Sequence, residues 1–370
     1  MAQGRGKKVA VALSGGVDSS VAAALLLKQG YEVIGITMRL ADEDLEDWGE
    51  TRTCCGLGEV EDVRRVAHKL GFPHYVLDLR EVFQRTVMEN FVAEYCRGRT
   101  PNPCIRCNQF VKFDALLRRV RAMGLDYVAT GHYARLGYDE QRGRYTLRRG
   151  VDAEKDQSYV LYPLTQEQMA HTLLPLGGLT KREVRAIAAD LGLRTAGKPE
   201  SQEICFIPDH NYPRFLAERA PETLRPGPIV TPEGKVLGEH AGIAFYTIGQ
   251  RRRLGLSAPE PLYVVDIDPQ RNMLVVDTRR GTYRQEMIVE EVNYVSLPPL
   301  TAPREAWVMV RYRATPQPAM LTPLGETCVH VRFHRPQRAL TPGQAAVFYE
   351  GDLVLAGGTI AHVLPAESVS

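Results

Sequence analysis

An apolar stretch, Val9 to Leu13, runs directly into Ser14-Gly-Gly-Val-Asp-Ser-Ser20, and an amphipathic helical pattern follows as far as Gly30. Strand, glycine turn and helix in that order force a fold in which a buried strand ends against a helix N-terminus. Glycines let the backbone approach an anion closely, and the first free amides of the helix point at it along the dipole. The hydroxyls of Ser14, Ser19 and Ser20 add donors, and Asp18 can reach a magnesium ion. The Gly-Lys-Ser/Thr ending of a Walker A loop is missing, and so is the G-x-G-x-x-G spacing of dinucleotide folds. A turn without a ligand would have no use for the two serines after Asp18. The loop reads as the phosphate site of an ATP-using enzyme.

The segments after the loop keep alternating. Strands are expected at Tyr31 to Leu40, His74 to Leu79 and Asp126 to Thr130. Helices are expected at Glu59 to Leu70, Glu81 to Tyr95 and Gln109 to Met123, and a later one opens with the capping box Thr180-Lys-Arg-Glu183. This pattern predicts an α/β fold with a parallel sheet covered on both faces. After about Asn211, proline and glycine become frequent and the apolar runs become short and β-branched. Examples are Leu262 to Ile267, Met273 to Val276, Met287 to Val292, Trp307 to Tyr312, Val329 to Phe333 and Ala345 to Tyr349. Such runs predict small β domains or a barrel. With a weaker boundary near Arg279-Arg280, the expected domains are 1–210, a nucleotide-binding catalytic domain; 211–280, a small central domain; and 281–370, a barrel-like domain.

Composition excludes several classes. The 370 residues are 44% hydrophobic and 24% charged, the balance of a soluble globular protein. No stretch approaches the roughly 20 apolar residues of a membrane helix, and Val9 to Leu13 is too short for a signal peptide. Seven cysteines, an odd number, do not make a secreted disulfide framework. A cytoplasmic location without a membrane partner is the expectation. The net charge of +2 hides clusters at Arg97, Arg99 and Arg106; at Arg118, Arg119 and Arg121; at Arg148 and Arg149; and at Arg251 to Arg253. Taken singly, each suits a solvated face.

The cysteines narrow the chemistry. Arg99-Thr-Pro-Asn-Pro-Cys-Ile-Arg-Cys-Asn108 is a proline-rich loop leading into the helix expected from Gln109. Just before that helix, Cys107 would feel its positive end and Arg106, which lower a thiol pKa from about 8.5 and make a nucleophile. Glu200-Ser-Gln-Glu-Ile-Cys205-Phe206 carries a second cysteine among polar residues. Two cysteines beside an ATP site point to sulfur chemistry, one holding a persulfide and the other attacking it. Two metal readings stay open: zinc on Cys104 and Cys107 with Cys54 and Cys55, and an iron–sulfur cluster on Cys104, Cys107 and Cys205 whose open iron could take up sulfide. Cys54, Cys55, Cys96 and Cys328 otherwise read as structural or buried.

The loop resembles that of the ATP pyrophosphatase superfamily, which attaches AMP to an oxygen and releases pyrophosphate. The resemblance tightens when SGGVDSS is taken with the NPC-IRCN loop, ATGHYA (129–134), KDQSY (155–159), SQEICF (201–206) and YTIGQRR (246–252). In this order the set is similar to the tRNA-specific 2-thiouridylases, over residues 8 to about 349. The resemblance implies thiolation of uridine 34 in the anticodons of glutamate, glutamine and lysine tRNAs, with ATP and Mg2+. A sulfur-carrier protein or cysteine desulfurase would be the persulfide donor. Cys107 would be the nucleophile and Cys205 the persulfide carrier. Ala12, Leu13, Ser14, Gly15, Gly16, Val17, Asp18, Ser19, Met38 and Gly131 would contact ATP. Asn102, Pro103 and Cys104 would meet the target base. His132, Lys155, Asp156, Gln157, Arg311, Tyr312 and Gln344 would meet tRNA. The chain departs from the family pattern twice. Cys104 stands where some members carry an Asp assigned acid–base work, and Arg253 stands where a Gly is usual, which puts that turn's geometry in question.

Overall fold

The computed structural model describes residues 4–41, 57–198, 204–207, 209, 211–221 and 224–365. Strands β1 (Lys8–Ala12), β2 (Glu32–Arg39), β3 (His74–Asp78) and β4 (Tyr127–Ala129) belong to one sheet. The hairpin β5 (Ala134–Asp139) and β6 (Arg144–Arg149) belongs elsewhere, and β7 (Thr172–Leu173) closes the first sheet. Its order is β3-β2-β1-β4-β7, and every pairing is parallel. The chain therefore winds outward from β1 in one direction and returns to its other side at β4. That reversal opens a crevice beyond the carboxyl ends of β1 and β4, where ligands of open α/β sheets bind.

Helix α1 (Val17–Lys28) packs on β1 because it is apolar nearly all round. Val17, Val21, Ala22, Ala23 and Leu26 are buried. Each of its large aliphatic side chains contributes roughly 2 kcal/mol on burial. The second apolar layer lies on the other face, where Ala10, Ala12 and Ile36 meet Phe83, Phe91, Val111 and Leu116. Both helices of this layer widen into π-helix, at Gln84–Met88 and Cys107–Ala115. Wide turns of this kind recur at functional sites.

The β-rich half carries two further sheets. Strands β8 (Gly227–Val230), β9 (Val236–His240), β10 (Tyr263–Asp268) and β11 (Met273–Asp277) pair in the order β10-β11-β8-β9. Strands β12 (Tyr283–Tyr294), β13 (Arg304–Met309), β14 (Gln317–Pro323), β15 (Val329–Arg338), β16 (Ala345–Glu350) and β17 (Leu353–Val363) follow. They run β12-β15-β14-β13-β16-β17, and β12 also pairs with β17, so six strands close into a barrel. Alternation fills its interior, with Val329, Val331 and Phe333 of β15 buried and their neighbours facing out.

The sequence patterns locate the parallel sheet and the barrel, and miss the β5–β6 hairpin. That hairpin pairs through Leu147 and Arg148 with β17, so the sheet of the barrel begins inside the first half of the chain. Its strands carry only Leu136 and Leu147 as strong apolar markers among arginines and tyrosines, so periodicity gives no signal. The Arg253 departure has a structural counterpart. Its backbone sits at φ 65°, in the left-handed region that a glycine tolerates. Arg253→Gly is expected to raise the unfolding free energy by about 1 kcal/mol. Chemical denaturation with an unchanged midpoint would contradict the strain assigned to this turn.

Candidate active site at the phosphate loop and the cysteine helix

Ser14 to Gly16 cross from β1 to α1. Gly15 has φ 69°, and Gly16 caps α1 without any side-chain acceptor. The first amides of the helix therefore have no capping side chain competing for them. The serine hydroxyls are tied to the loop. Ser19 Oγ lies 3.3 Å from the Ser14 amide that donates to it, and Ser20 Oγ donates to the Gly16 carbonyl at 2.8 Å. The side chains of Ala12, Leu13 and Val17 are buried, so these positions can offer a ligand only their backbone. Met38, at the end of β2, packs against the same apolar layer as Ala12.

Asp18 is the best-held residue of the loop. Lys181 donates to both carboxylate oxygens, at 2.8 and 2.7 Å, and the Tyr133 hydroxyl donates at 2.7 Å. One carboxylate with hydroxyl neighbours suits magnesium, which binds mainly through phosphates and water. Lys181 lies inside the capping box read in the sequence, where its neighbours Thr180 and Glu183 carried the signal. Its position beside Asp18 was not legible there. Lys198 was missed too. It donates to the Gly15 carbonyl at 3.3 Å and pairs with Asp62 at 3.1 Å.

Gly131 follows β4 and lies directly against the loop. A Cβ there would stand 2.8 Å from the Asp18 carbonyl carbon and from the Ser19 nitrogen. The neighbouring His132 is buried, and its Nδ1 shares a 2.7 Å hydrogen bond with Thr130 Oγ1. Burial, helped by the charge of Lys112, holds the imidazole pKa well below its ordinary value. The ring is therefore neutral at pH 7.

The cysteine helix begins earlier than its sequence suggests. Asn102 caps it by accepting from the Ile105 amide at 3.3 Å, and Pro103 takes the first helical position. The helical run continues over 103–122. Cys107 is thus inside the helix and buried, and Cys104 occupies the second helical position. The positive helix end expected to act on Cys107 lies nearer Cys104. Cys104 is exposed, yet the protein walls around it desolvate the thiol and raise its pKa, with Lys112 opposing. Arg106, also expected to act on Cys107, pairs instead with Glu291 of β12 at 3.2 Å and with Gln109.

Cys107 and Cys205 belong to one apolar layer. Cys107 is buried in it, as are Phe206 and Ile207, and half-buried Cys205 packs against it, as does Met38. Among the described residues, no three His, Cys, Asp or Glu side chains converge as a metal-ligand set. Cys104 and Cys107 stand about one helical turn apart, the first exposed and the second buried. Cys54 and Cys55 of the zinc reading, and residues 201–203 of the SQEICF motif, lie outside the described residues. Cys96 and Cys328 are half-buried.

The residues expected at tRNA fall in two groups. Lys155 and Asp156 lie beside Tyr312, whose hydroxyl pKa is raised by burial, with the two charges acting in opposite senses. Asp156 also braces its own loop by accepting from the Gly150 and Ser158 amides at 3.1 and 3.0 Å. Gln157 accepts from the Tyr133 amide at 3.0 Å, and Arg311 donates to the Ala339 carbonyl at 3.0 Å. Gln344 donates to the Thr100 carbonyl at 2.8 Å, so the barrel grips the loop that leads to Asn102.

Known proteins resemble the chain along nearly its whole length. Residues 7–209 match the family described as tRNA methyl transferase HUP domain. Residues 213–278 match the tRNA methyl transferase PRC-barrel domain, and residues 284–360 the aminomethyltransferase beta-barrel domain. The tRNA-specific 2-thiouridylase MnmA of Desulforamulus reducens is 55% identical over 96% of this chain and 97% of its own length. That of Pelotomaculum thermopropionicum is 56% identical over 95% and 97%. A solved 4-thiouridine synthetase–RNA complex with bound ATP is similar over 59% of this chain and 51% of its own, at 18% identity and a TM-score of 0.35.

The close approach at Gly131 and the ion pair at Asp18 yield two expectations for nucleotide binding. Gly131→Ala should push the loop out of shape, and Lys181→Met should remove a cation beside the phosphates. Each is expected to weaken ATP binding by about tenfold or more, or at least about 1.4 kcal/mol by calorimetry. An unchanged dissociation constant in either variant would remove that contact from the account of the site.

Proposed function

Because the chain belongs to the tRNA-specific 2-thiouridylases and is a tRNA-uridine sulfurtransferase that uses a nucleotide-binding domain, we propose that it thiolates C2 of uridine 34 through an adenylated base and a cysteine persulfide. Its substrates in this reading are the glutamate, glutamine and lysine tRNAs. The observation that carries the reading is the shared apolar layer. Cys107 and Cys205, almost a hundred residues apart, pack in the same cluster as Ala12 of β1, which leads to the phosphate loop, and Met38 of the neighbouring β2.

In the proposed sequence, ATP lies with its phosphates at the N-terminus of α1, where Asp18 would help to hold a magnesium ion that would supply charge neutralisation. The target base must leave the anticodon stack to reach Asn102 to Cys104, as for enzymes that act on buried base atoms. Uridine O2 attacks the α-phosphorus, the O2–P bond forms, and pyrophosphate leaves with the electron pair of the broken P–O bond. This step turns a poor leaving oxygen into AMP. A sulfur-carrier protein or cysteine desulfurase loads Cys205 as the persulfide. Its terminal sulfur attacks C2, or is freed as sulfide when Cys107 attacks the persulfide. In either order Cys107 closes a disulfide with Cys205, AMP departs, and an external dithiol returns two electrons to the disulfide. Residues Lys155 to Gln157, Arg311, Tyr312, His132 and Gln344 remain the proposed tRNA contacts.

No step here passes through a cluster. The test is to incubate the protein with ATP, a persulfide donor and unmodified tRNA and to read thiouridine by mass spectrometry. Cys107→Ser and Cys205→Ser are each expected to abolish 2-thiouridine while tRNA binding stays within about twofold, since neither thiol supplies a phosphate contact. Thiolation by Cys107→Ser at the wild-type rate would defeat the disulfide scheme. Stoichiometric iron after anaerobic purification would replace it with cluster chemistry.

A further inference from the structure

The loop between Gly249 and Val264 has no part in the reading above. Its two ends are clasped together. The Gly249 amide donates to the Val264 carbonyl at 2.7 Å, and the Val264 amide to the Gln250 carbonyl at 2.9 Å. Inside the loop, the Gln250 side chain accepts from the Thr247 amide at 3.2 Å and donates to the Arg252 carbonyl at 3.0 Å. Leu254 is buried in the core of the central domain, and Leu256 packs against that core. A compact surface loop with closed ends is a recurrent carrier of function. This one holds its backbone under strain at Arg253, whose φ of 65° suits glycine. Strained backbone of this kind clusters at ligand sites.

Arg251 and Arg253 line a cavity of about 370 Å3, open to solvent, with Leu254, Leu256 and Pro261 among its apolar walls. That volume falls within the range, roughly 300 to 1,000 Å3, of ligand-binding cavities. Glu260 is the only carboxylate among the residues lining it, and Arg252 adds a third exposed cation beside them. Among the described residues, the guanidiniums of Arg251, Arg252 and Arg253 take no ion pair and no hydrogen bond. Unpaired charges of one sign around a concave surface concentrate counter-ions there.

The root of the loop is fixed to both parts of the protein expected at tRNA. Thr100 Oγ1, in the segment leading to Asn102, donates to Thr247 Oγ1 at 3.2 Å. On the barrel side, Gly249 lies against Ala339, and a Cβ on that glycine would stand 2.7 Å from the Ala339 Cβ. The Ala339 carbonyl is the acceptor held by Arg311, an expected tRNA contact. The root thus lies between the loop offered to the base and the barrel arginine.

We propose that this cavity binds a backbone phosphate of the tRNA outside the target nucleotide, with the Arg251 and Arg253 guanidiniums as donors. Each guanidinium presents a planar fork of N–H groups that matches two phosphodiester oxygens. The left-handed turn keeps the Arg253 side chain in the lining beside Arg251; a glycine would relax the turn and leave the cavity one cation short. Such contacts fix the register of the RNA and carry no sequence information. The inference rests on tRNA being the substrate and is independent of how the sulfur is delivered.

The experiment is tRNA binding by the full chain, measured without ATP or sulfur donor over a range of salt concentrations. Arg253→Gly and Arg251→Met are each expected to weaken binding of unmodified tRNA about three- to tenfold at roughly 0.1 M salt. The slope of log Kd against log salt should fall by about 0.7 to 0.9 in each, the counterion release of one phosphate. Arg253→Lys keeps the charge and should keep the slope. Arg253→Gly should at the same time melt no lower than the parent, because it relaxes the turn. Stability and affinity then move in opposite directions, which a merely structural role would not produce. Unchanged affinity and slope in both charge-removing variants would overturn the proposal and leave the thiolation reading standing. Weaker binding with an unchanged slope and a lower melting temperature would overturn it in favour of a structural role. Inorganic phosphate or pyrophosphate that raises the melting temperature of the parent but not of Arg253→Gly, with the tRNA slope unchanged, would assign the cavity to a free anion and overturn the RNA reading.

Discussion

Two loops from opposite sides of the sheet's reversal have to touch, and they touch through a glycine. The turn after β1 needs a surface to rest on, and the turn after β4 supplies it at Gly131, where even a methyl group would stand 2.8 Å from the Asp18 and Ser19 backbone. From that contact the rest follows in order. Asp18 is placed where Tyr133 and Lys181 can hold it. His132, next to Gly131, is pressed into the core and kept neutral. Phe113 then packs on His132 and sets the height of the cysteine helix relative to the phosphate loop. The phosphate loop and the cysteine helix are brought together by this packing rather than by any single long-range bond.

The barrel contributes to the site from behind. Glu291, on β12, draws Arg106 away from Cys107. Gln344 holds the Thr100 carbonyl, and the Thr100 amide donates to the Pro342 carbonyl at 2.9 Å. These are hydrogen bonds to backbone groups that would otherwise be costly to leave unpaired. They fix the entry angle of the Asn102–Pro103 turn. The β5–β6 hairpin, lying beside β17, ties the sheet of the barrel to the segment that follows β4. The proposed relay between Cys107 and Cys205 would need such bracing, because displacements of about an ångström are enough to slow chemistry markedly.

Much of this was legible in the sequence, unevenly and for physical reasons. The phosphate loop could be read because glycines and hydroxyls at a strand–helix junction have few other uses. The barrel could be read because alternation on β15 exposes its inward face. The start of the cysteine helix was misplaced by about six residues, although Asn102 and Pro103 form a cap and first-turn pair that gives it away. Lys181 and Lys198 could not be found, since only the fold brings residues from the far end of the domain to Asp18 and Gly15. Arg253 was recognised as unusual, and its left-handed backbone gives the physical content of that oddity.

The central claim is that base activation and sulfur transfer share one pocket and end with Cys107 joined to Cys205. A single turnover tests it directly: persulfide-loaded protein, ATP and unmodified tRNA, quenched with an alkylating agent and analysed by peptide mapping. The account predicts that a peptide pair linked through Cys107 and Cys205 appears in step with 2-thiouridine and AMP, in equal amounts. Full 2-thiouridine with both cysteines still alkylated would contradict it.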